Sequence, residues 1–215
     1  NTGTATFSGQ VTATNINVET TGTTTFSGKI VETDSSTSEL DLAGAATVTV
    51  GFGHTTAGSA NTVDKLDMSS TSTLILDDTI TNAMFVFGTA TSTDAADIAD
   101  GAKIYMPVNL SNGQTLILFE DSNSSAVDNT TEAQVEAVVV DTALTDYVAS
   151  ESGNNIVLTS VDKTALVTGT ELTVTKNTAL ALLAARNSAI NDTTADGTAE
   201  DAFYSVLNSK SGFST

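Results

Sequence analysis

Two groups of residues have the types and spacing for chemistry. Asp94, Asp97 and Asp100 recur at every third position and end at Gly101. Hard cations such as calcium gather several oxygens, backbone carbonyls included, and a short acidic loop can supply them. The spacing matches neither the EF-hand loop nor the glycine- and aspartate-rich repeat of calcium β-rolls, so a solvated loop is the plainer reading. Calcium is the one cofactor these residues leave open. The second group is His54, Asp77 and Asp78. Offset by about one coil of a stacked structure, the carboxylate pair and the imidazole would meet, and paired carboxylates serve as acid and base in glycoside cleavage. Arg186 is the sole arginine, however, so the basic residues that hold acidic sugars are missing. The plainer reading ends a strand at Asp77-Asp78 and leaves His54 on a surface loop.

Other catalytic arrangements lack parts. His54 is the only histidine, and no Gly-x-Ser-x-Gly elbow occurs, which leaves a serine hydrolase without its machinery. With no cysteine there is no disulfide, no thiolate metal site and no thiol nucleophile. Zinc has no His/Cys cluster to hold it, and no phosphate-binding glycine loop is present. The expectation is a protein that is not an enzyme. Four Asn-x-Ser/Thr sequons begin at Asn109, Asn123, Asn129 and Asn191; in a bacterial chain such matches arise by chance.

Charge narrows the partners. The 215 residues carry 26 acidic and 7 basic side chains, a net charge of −19. Like charge of that size repels nucleic acid and anionic lipid, and screening by salt or divalent cations should stabilise the fold. No apolar run reaches the roughly 20 residues a membrane helix needs; Ala179 to Ala185 is the longest and stops at Arg186. Asn1 is not a natural start, which suggests a mature or excised fragment.

The elements that must position any site are short strands. Gly3-Thr4-Ala5-Thr6-Phe7-Ser8-Gly9-Gln10-Val11 is followed by Gly22-Thr23-Thr24-Thr25-Phe26-Ser27-Gly28-Lys29-Ile30, the same pattern 19 residues on. A fixed offset near 20 residues marks a solenoid, because so short a unit buries its apolar face only by stacking on a copy of itself. Phe7 and Phe26 should then lie one above the other, about 4.8 Å apart along the stack. The Ser-Gly pairs read as corners where glycine permits positive φ. Aromatic residues are 5% and Trp is absent, so the core must be layers of Val, Ile, Leu, Ala and Thr; Thr, with 40 copies, favours strands.

Further strands are expected at Ile16–Val18, Ile30-Val31, Leu40–Leu42, Thr47–Val50, Leu66–Met68, Leu74–Leu76 and Met84–Phe87, the last buried on both faces. Lys103–Met106, Val108–Leu110, Thr115–Phe119, Val135–Val140, Ile156–Leu158 and Leu172–Val174 follow. Residues 54–65, 89–101 and 120–134 read as loops, and the repeat period is lost after residue 54. Thr178 caps a helix over Ala179–Ile190, and Thr198 caps a second over Ala199–Asn208. These helices would cover the open end of the stack. The fold expected is all-β: a single-stranded right-handed parallel β-helix over residues 1–177 with a helical C-terminal cap over 178–215.

This order of parts resembles the C-terminal part of a type V autotransporter passenger. The resemblance rests on the G-T-x-T-F-S-G repeats, on Gly101-Ala102-Lys103-Ile104 with Asn112-Gly113-Gln114-Thr115-Leu116, on Gly153-Asn154-Asn155-Ile156-Val157-Leu158 and on the Ala/Leu-rich helices. It implies export to the bacterial cell surface through a β-barrel that follows the passenger; no barrel strands occur here, so that barrel would come from a missing C-terminal region. It implies a structural or adhesive role as a stalk or scaffold, with self-association or other cell-surface components as partners. The alternatives are a self-assembling surface-layer or filament subunit and a glycan-active β-helix enzyme centred on His54, Asp77 and Asp78.

Overall fold

Segments such as Thr47-Val48-Thr49-Val50 and Glu39-Leu40-Asp41-Leu42 alternate polar and apolar residues, and in a strand that period sends every second side chain to the same face. The computed structural model describes residues 3–19, 21–33, 39–80, 84–90, 96–107, 110–121, 129–142, 144–153 and 155–163. They are mostly β, in three sheets. The chain enters β1 (Thr4–Phe7), β2 (Val11–Ala13) and β3 (Asn15–Val18), then β4 (Thr23–Phe26), β5 (Ile30–Glu32) and β6 (Glu39–Leu42). It continues through β7 (Thr47–Val50), β8 (Asn61–Thr62) and β9 (Lys65–Met68), then β10 (Thr73–Leu76), β11 (Phe85–Ala90) and β12 (Ala96–Ile98). Last come β13 (Lys103–Tyr105), β14 (Thr115–Asp121), helix α1 (Asn129–Val138), β15 (Val139–Val140), β16 (Thr145–Ser152) and β17 (Asn155–Asp162).

Successive strands go to the three sheets in rotation. The first sheet runs β1-β4-β7-β10-β13-β15, the second β16-β17-β14-β11-β8-β5-β2, and the third β12-β9-β6-β3. From β1 to β13 every pairing is parallel. The expected offset holds at the first step, Thr4 opposite Thr23, and the two rings stack with centroids 5.2 Å apart. The period that vanishes from the sequence survives in the register. Thr23 pairs with Thr47, Thr47 with Thr73, Thr73 with Lys103 and Ile104 with Val139, steps of 24, 26, 30 and 35 residues. Each connection lengthens while the strands stay aligned.

Inward positions build the core in ladders. Phe26, Val50 and Leu76 stack in one, Val48, Leu74 and Ile104 in the next, and Leu42, Met68 and Ile98 in the third sheet, all buried. Burying each such side chain contributes about 1.5–3 kcal/mol before entropy is counted. Some buried residues are polar, Asn61 among them. Asn61, fully buried, accepts from the Ile30 N–H at 2.8 Å and donates to the Phe52 and Val86 carbonyls at 2.7 Å each, tying neighbouring strands of the second sheet together.

Several expectations need correction. The Ser-Gly corners do not use positive φ; that conformation belongs to Gly44, Gly101, Gly113 and Gly153. Gly28 is needed because a Cβ there would sit 2.3 Å from the Gly9 carbonyl oxygen of the coil beside it. The presumed loops hold short strands, β8 and β12, whose two or three residues are too few for a periodic signal. Met84–Phe87 was expected to be buried on both faces, and the adjacent Val86 and Phe87 are indeed both buried.

Residues 129–138 form a helix where a polar excursion and the strand Val135–Val140 were expected. Glu132, Ala133, Gln134, Glu136 and Ala137 are good helix formers, and Val135 and Val138, three apart, share the buried face. Only Val139-Val140 remains strand. The parallel order also stops: β14 pairs antiparallel with β17, and β17 with β16. Helix α1 packs against β12, β13 and β16 at this end. The strand at Leu172–Val174, both C-terminal helices and the boundary at residues 177/178 lie outside the described residues.

Candidate functional site

The richest grouping of charged side chains lies on the outward face of the third sheet. Alternation in β3, β6, β9 and β12 turns Ile16, Leu40, Leu66 and Ala96 inward and leaves Asn17, Asp41, Asp67 and Asp97 in one outward register row. The row beside it holds Asn15, Glu39 and Lys65. Lys65 Nζ lies 3.5 Å from Asp67 Oδ2, 3.7 Å from Asp97 Oδ2 and 3.8 Å from Glu39 Oε1. One ammonium thus serves three carboxylates from three neighbouring strands.

The carboxylates outnumber the cation, and burial and neighbouring charge both bear on their acidity. Burial, helped by a hydrogen bond with Asp67, raises Glu39 above its ordinary value, with Lys65 pulling the other way. Burial and then the charges of Asp67 and Glu19 raise Asp41. For Lys65, burial works to lower the ammonium, but Asp67, Asp97 and Glu39 outweigh it and hold the group above an ordinary lysine. The arrangement is an ion-pair ladder that clamps neighbouring strands, with acid in excess.

The acidic triplet is placed only in part. Asp97 is exposed on β12 and belongs to the Lys65 ladder, while Asp100 is exposed in the turn before Gly101, whose φ is +95°. Asp94 lies outside the described residues. Among the described residues no group of three or more His, Cys, Asp or Glu is arranged to hold a metal.

The second grouping resolves into separate turns. His54 pairs with Phe85 through two backbone hydrogen bonds, and its Nδ1 accepts from the Thr56 N–H at 3.2 Å. Asp77 follows β10 as expected, and its Oδ1 accepts from the Thr79 N–H at 2.9 Å. Asp78 is exposed beside it. The imidazole and the Asp77 carboxylate therefore each stabilise a local turn.

Sequence reasoning passed over the C-terminal acidic cluster. A hollow of about 330 Å³ is lined by Glu136, Val139, Asp141, Asp146, Tyr147 and Val148. Its carboxylates are spent on the backbone: Glu136 Oε2 accepts from the Ala149 N–H at 2.5 Å and Asp141 Oδ1 from the Tyr147 N–H at 2.8 Å. Asp146 pairs with Lys163 at 3.1 Å. Burial raises the Asp141 carboxyl, and Asp146 adds to it against the Tyr147 N–H and Lys163. These groups fasten α1 to β16. Only a helix reading of residues 129–138 could have foretold them.

No family model, curated protein or solved structure matches this chain. No helix of the described residues is long and apolar enough to cross a membrane.

Proposed function

We propose that this chain is a rigid stalk or scaffold segment of an extracellular bacterial surface protein, structural or adhesive, of the autotransporter-passenger kind. Its architecture in this reading is a right-handed parallel β-helix of three-strand coils. The observation that carries it is the unbroken parallel register from β1 through β13 in the first sheet, held while the connections lengthen. Strand-to-strand crossovers of this parallel kind are right-handed in about 98% of cases. The local hydrogen bonds that occupy His54 Nδ1 and Asp77 Oδ1, each to a turn N–H, favour a mechanical role over the glycan-active reading.

Small-angle scattering and negative-stain microscopy test it, with and without millimolar calcium. A thin rod supports the stalk, and a sphere rejects it. Elongation that appears only with calcium would assign a ligand role to the loop ending at Asp100. A self-assembling filament is the second reading, favoured by the edge strand β1 and by Phe7, which is 43% exposed at the end of the aromatic stack. Ordered fibres in the same micrographs would select it.

A further inference from the structure

Threonines stand in two rows on the outward face of the first sheet. Register places Thr4, Thr23, Thr47 and Thr73 in one row. Thr6, Thr25 and Thr49 make the other, two residues along each strand. Their inward neighbours Thr24, Val48 and Leu74 are buried, whereas the outward threonines are exposed or half-buried. No bulge interrupts the pairing from β1 to β10. The array therefore has two repeats, about 4.8 Å from coil to coil and about 6.6 Å from row to row along a strand.

Chemistry separates this face from the outward face of the third sheet. Across these four strands its outward positions carry no charge, in a chain of net charge −19; the next strand brings the first charge, Lys103. The third sheet, built on the same spacing, presents Glu39, Asp41, Lys65, Asp67 and Asp97 instead. Each Thr offers one hydroxyl and one methyl on a side chain stiff at χ1. A partner that fits must be uncharged and must repeat at both spacings.

We propose that this threonine face binds crystalline water, adsorbing to the surface of ice. Oxygen atoms of hexagonal ice recur at spacings close to both repeats of the array. The hydroxyls take positions in the hydrogen-bonded lattice, and the methyls hold the intervening water in order. A charged side chain would impose its own hydration shell and break the match, which is the role of the uncharged face. Single contacts are weak, but the ladder fixes them on one rigid surface, so little side-chain freedom is lost on binding. The inference needs only the register of the first sheet and stands apart from the surface-protein reading.

The test uses the purified 215-residue chain. Ice recrystallisation inhibition, thermal hysteresis and partition into a slowly growing ice front are measured. The variants are Thr25→Tyr and Thr49→Tyr, central in the array and acceptable to a strand. Asn17→Tyr, on the exposed row of the third sheet, is the control. Circular dichroism and the urea midpoint establish that each variant is folded. The expected result is inhibition by the parent chain and by Asn17→Tyr, with each Thr variant at least about tenfold weaker, a loss of roughly 1.4 kcal/mol in adsorption. Absence of ice activity in the folded parent chain overturns the proposal. So does an equal loss in Asn17→Tyr, or retention on crystalline cellulose or chitin without any affinity for ice.

Discussion

Phe7 and Phe26, 19 residues apart in the chain, occupy equivalent positions in the paired parallel strands β1 and β4, with their rings 5.2 Å apart and inclined by 11°. The two are unequal. Phe26 is 2% exposed in the core, whereas Phe7 is 43% exposed at the end of the stack. Phe26→Ala should therefore destabilise by about 3–5 kcal/mol and Phe7→Ala by about 1 kcal/mol, the stacking contribution with little cavity. Urea midpoints of the two variants check the ratio; equal losses would contradict the packing described.

Asn61 is the polar pin of the core. Asn61→Leu removes two buried hydrogen bonds and one part-buried one and strands the Ile30 N–H and two carbonyls, so it should cost about 3 kcal/mol despite its added apolar surface. Asn61→Asp keeps the acceptor for Ile30 but turns a charged oxygen toward the Phe52 and Val86 carbonyls. Its stability should recover as the pH falls and the carboxyl gains a proton. Denaturation of both variants at neutral and acid pH reads this directly.

Gly28 and Gly9 occupy matching places in the repeat but differ in what lies beside them. A Cβ on Gly28 meets the Gly9 carbonyl at 2.3 Å, while one on Gly9 has open space. Gly28→Ala should cost about 2 kcal/mol through overpacking against backbone, and Gly9→Ala should be nearly neutral. Thermal melts of the pair distinguish close approach from a general need for glycine at the corner.

The third-sheet ladder predicts an unusual pH response. The carboxyl of Asp41 is raised above its ordinary 3.8 in the folded chain. The folded state then binds the proton more tightly than the unfolded state, so Asp41 contributes stability fully below pH 3.8 and loses it as pH rises through the folded value. Glu39, raised above 4.5, acts in the same direction. Asp41→Asn should be more stable than the parent at pH 7 and equal to it at pH 3, measured by urea unfolding at both.

Lys65 supplies the opposing term. Lys65→Met should destabilise by about 1 kcal/mol at low salt, with a smaller loss at high salt as screening relieves Glu39, Asp67 and Asp97. A salt-independent loss would show that the lysine stem, and not its charge, holds the coils.

Legibility followed the length of each periodic signal. Thr47–Val50 was readable because its alternation is clean, and Leu74–Leu76 because it is a short continuous apolar run. β8 and β12 were not, because Asn61-Thr62 and Ala96-Asp97-Ile98 take their meaning from the strands beside them. Residues 135–140 read as a strand because four of the six are β-branched valines, whereas packing against β12, β13 and β16 decides for a helix up to Val138. Of the described candidate site residues, Asp97 alone joined a charged cluster, and its partner Lys65 is 32 residues away in the chain.

Inward and outward alternation, the first coil-to-coil step and the Phe7–Phe26 stack were settled by sequence alone, since each depends on side-chain period and on a near-identical repeat. Which strands pair after residue 54, where Asn61 is pinned and which carboxylates surround Lys65 were settled only by tertiary structure. Connections of growing length cost little entropy. They therefore leave no fixed spacing in the chain, and register is selected by apolar ladders that meet only when the coils are stacked.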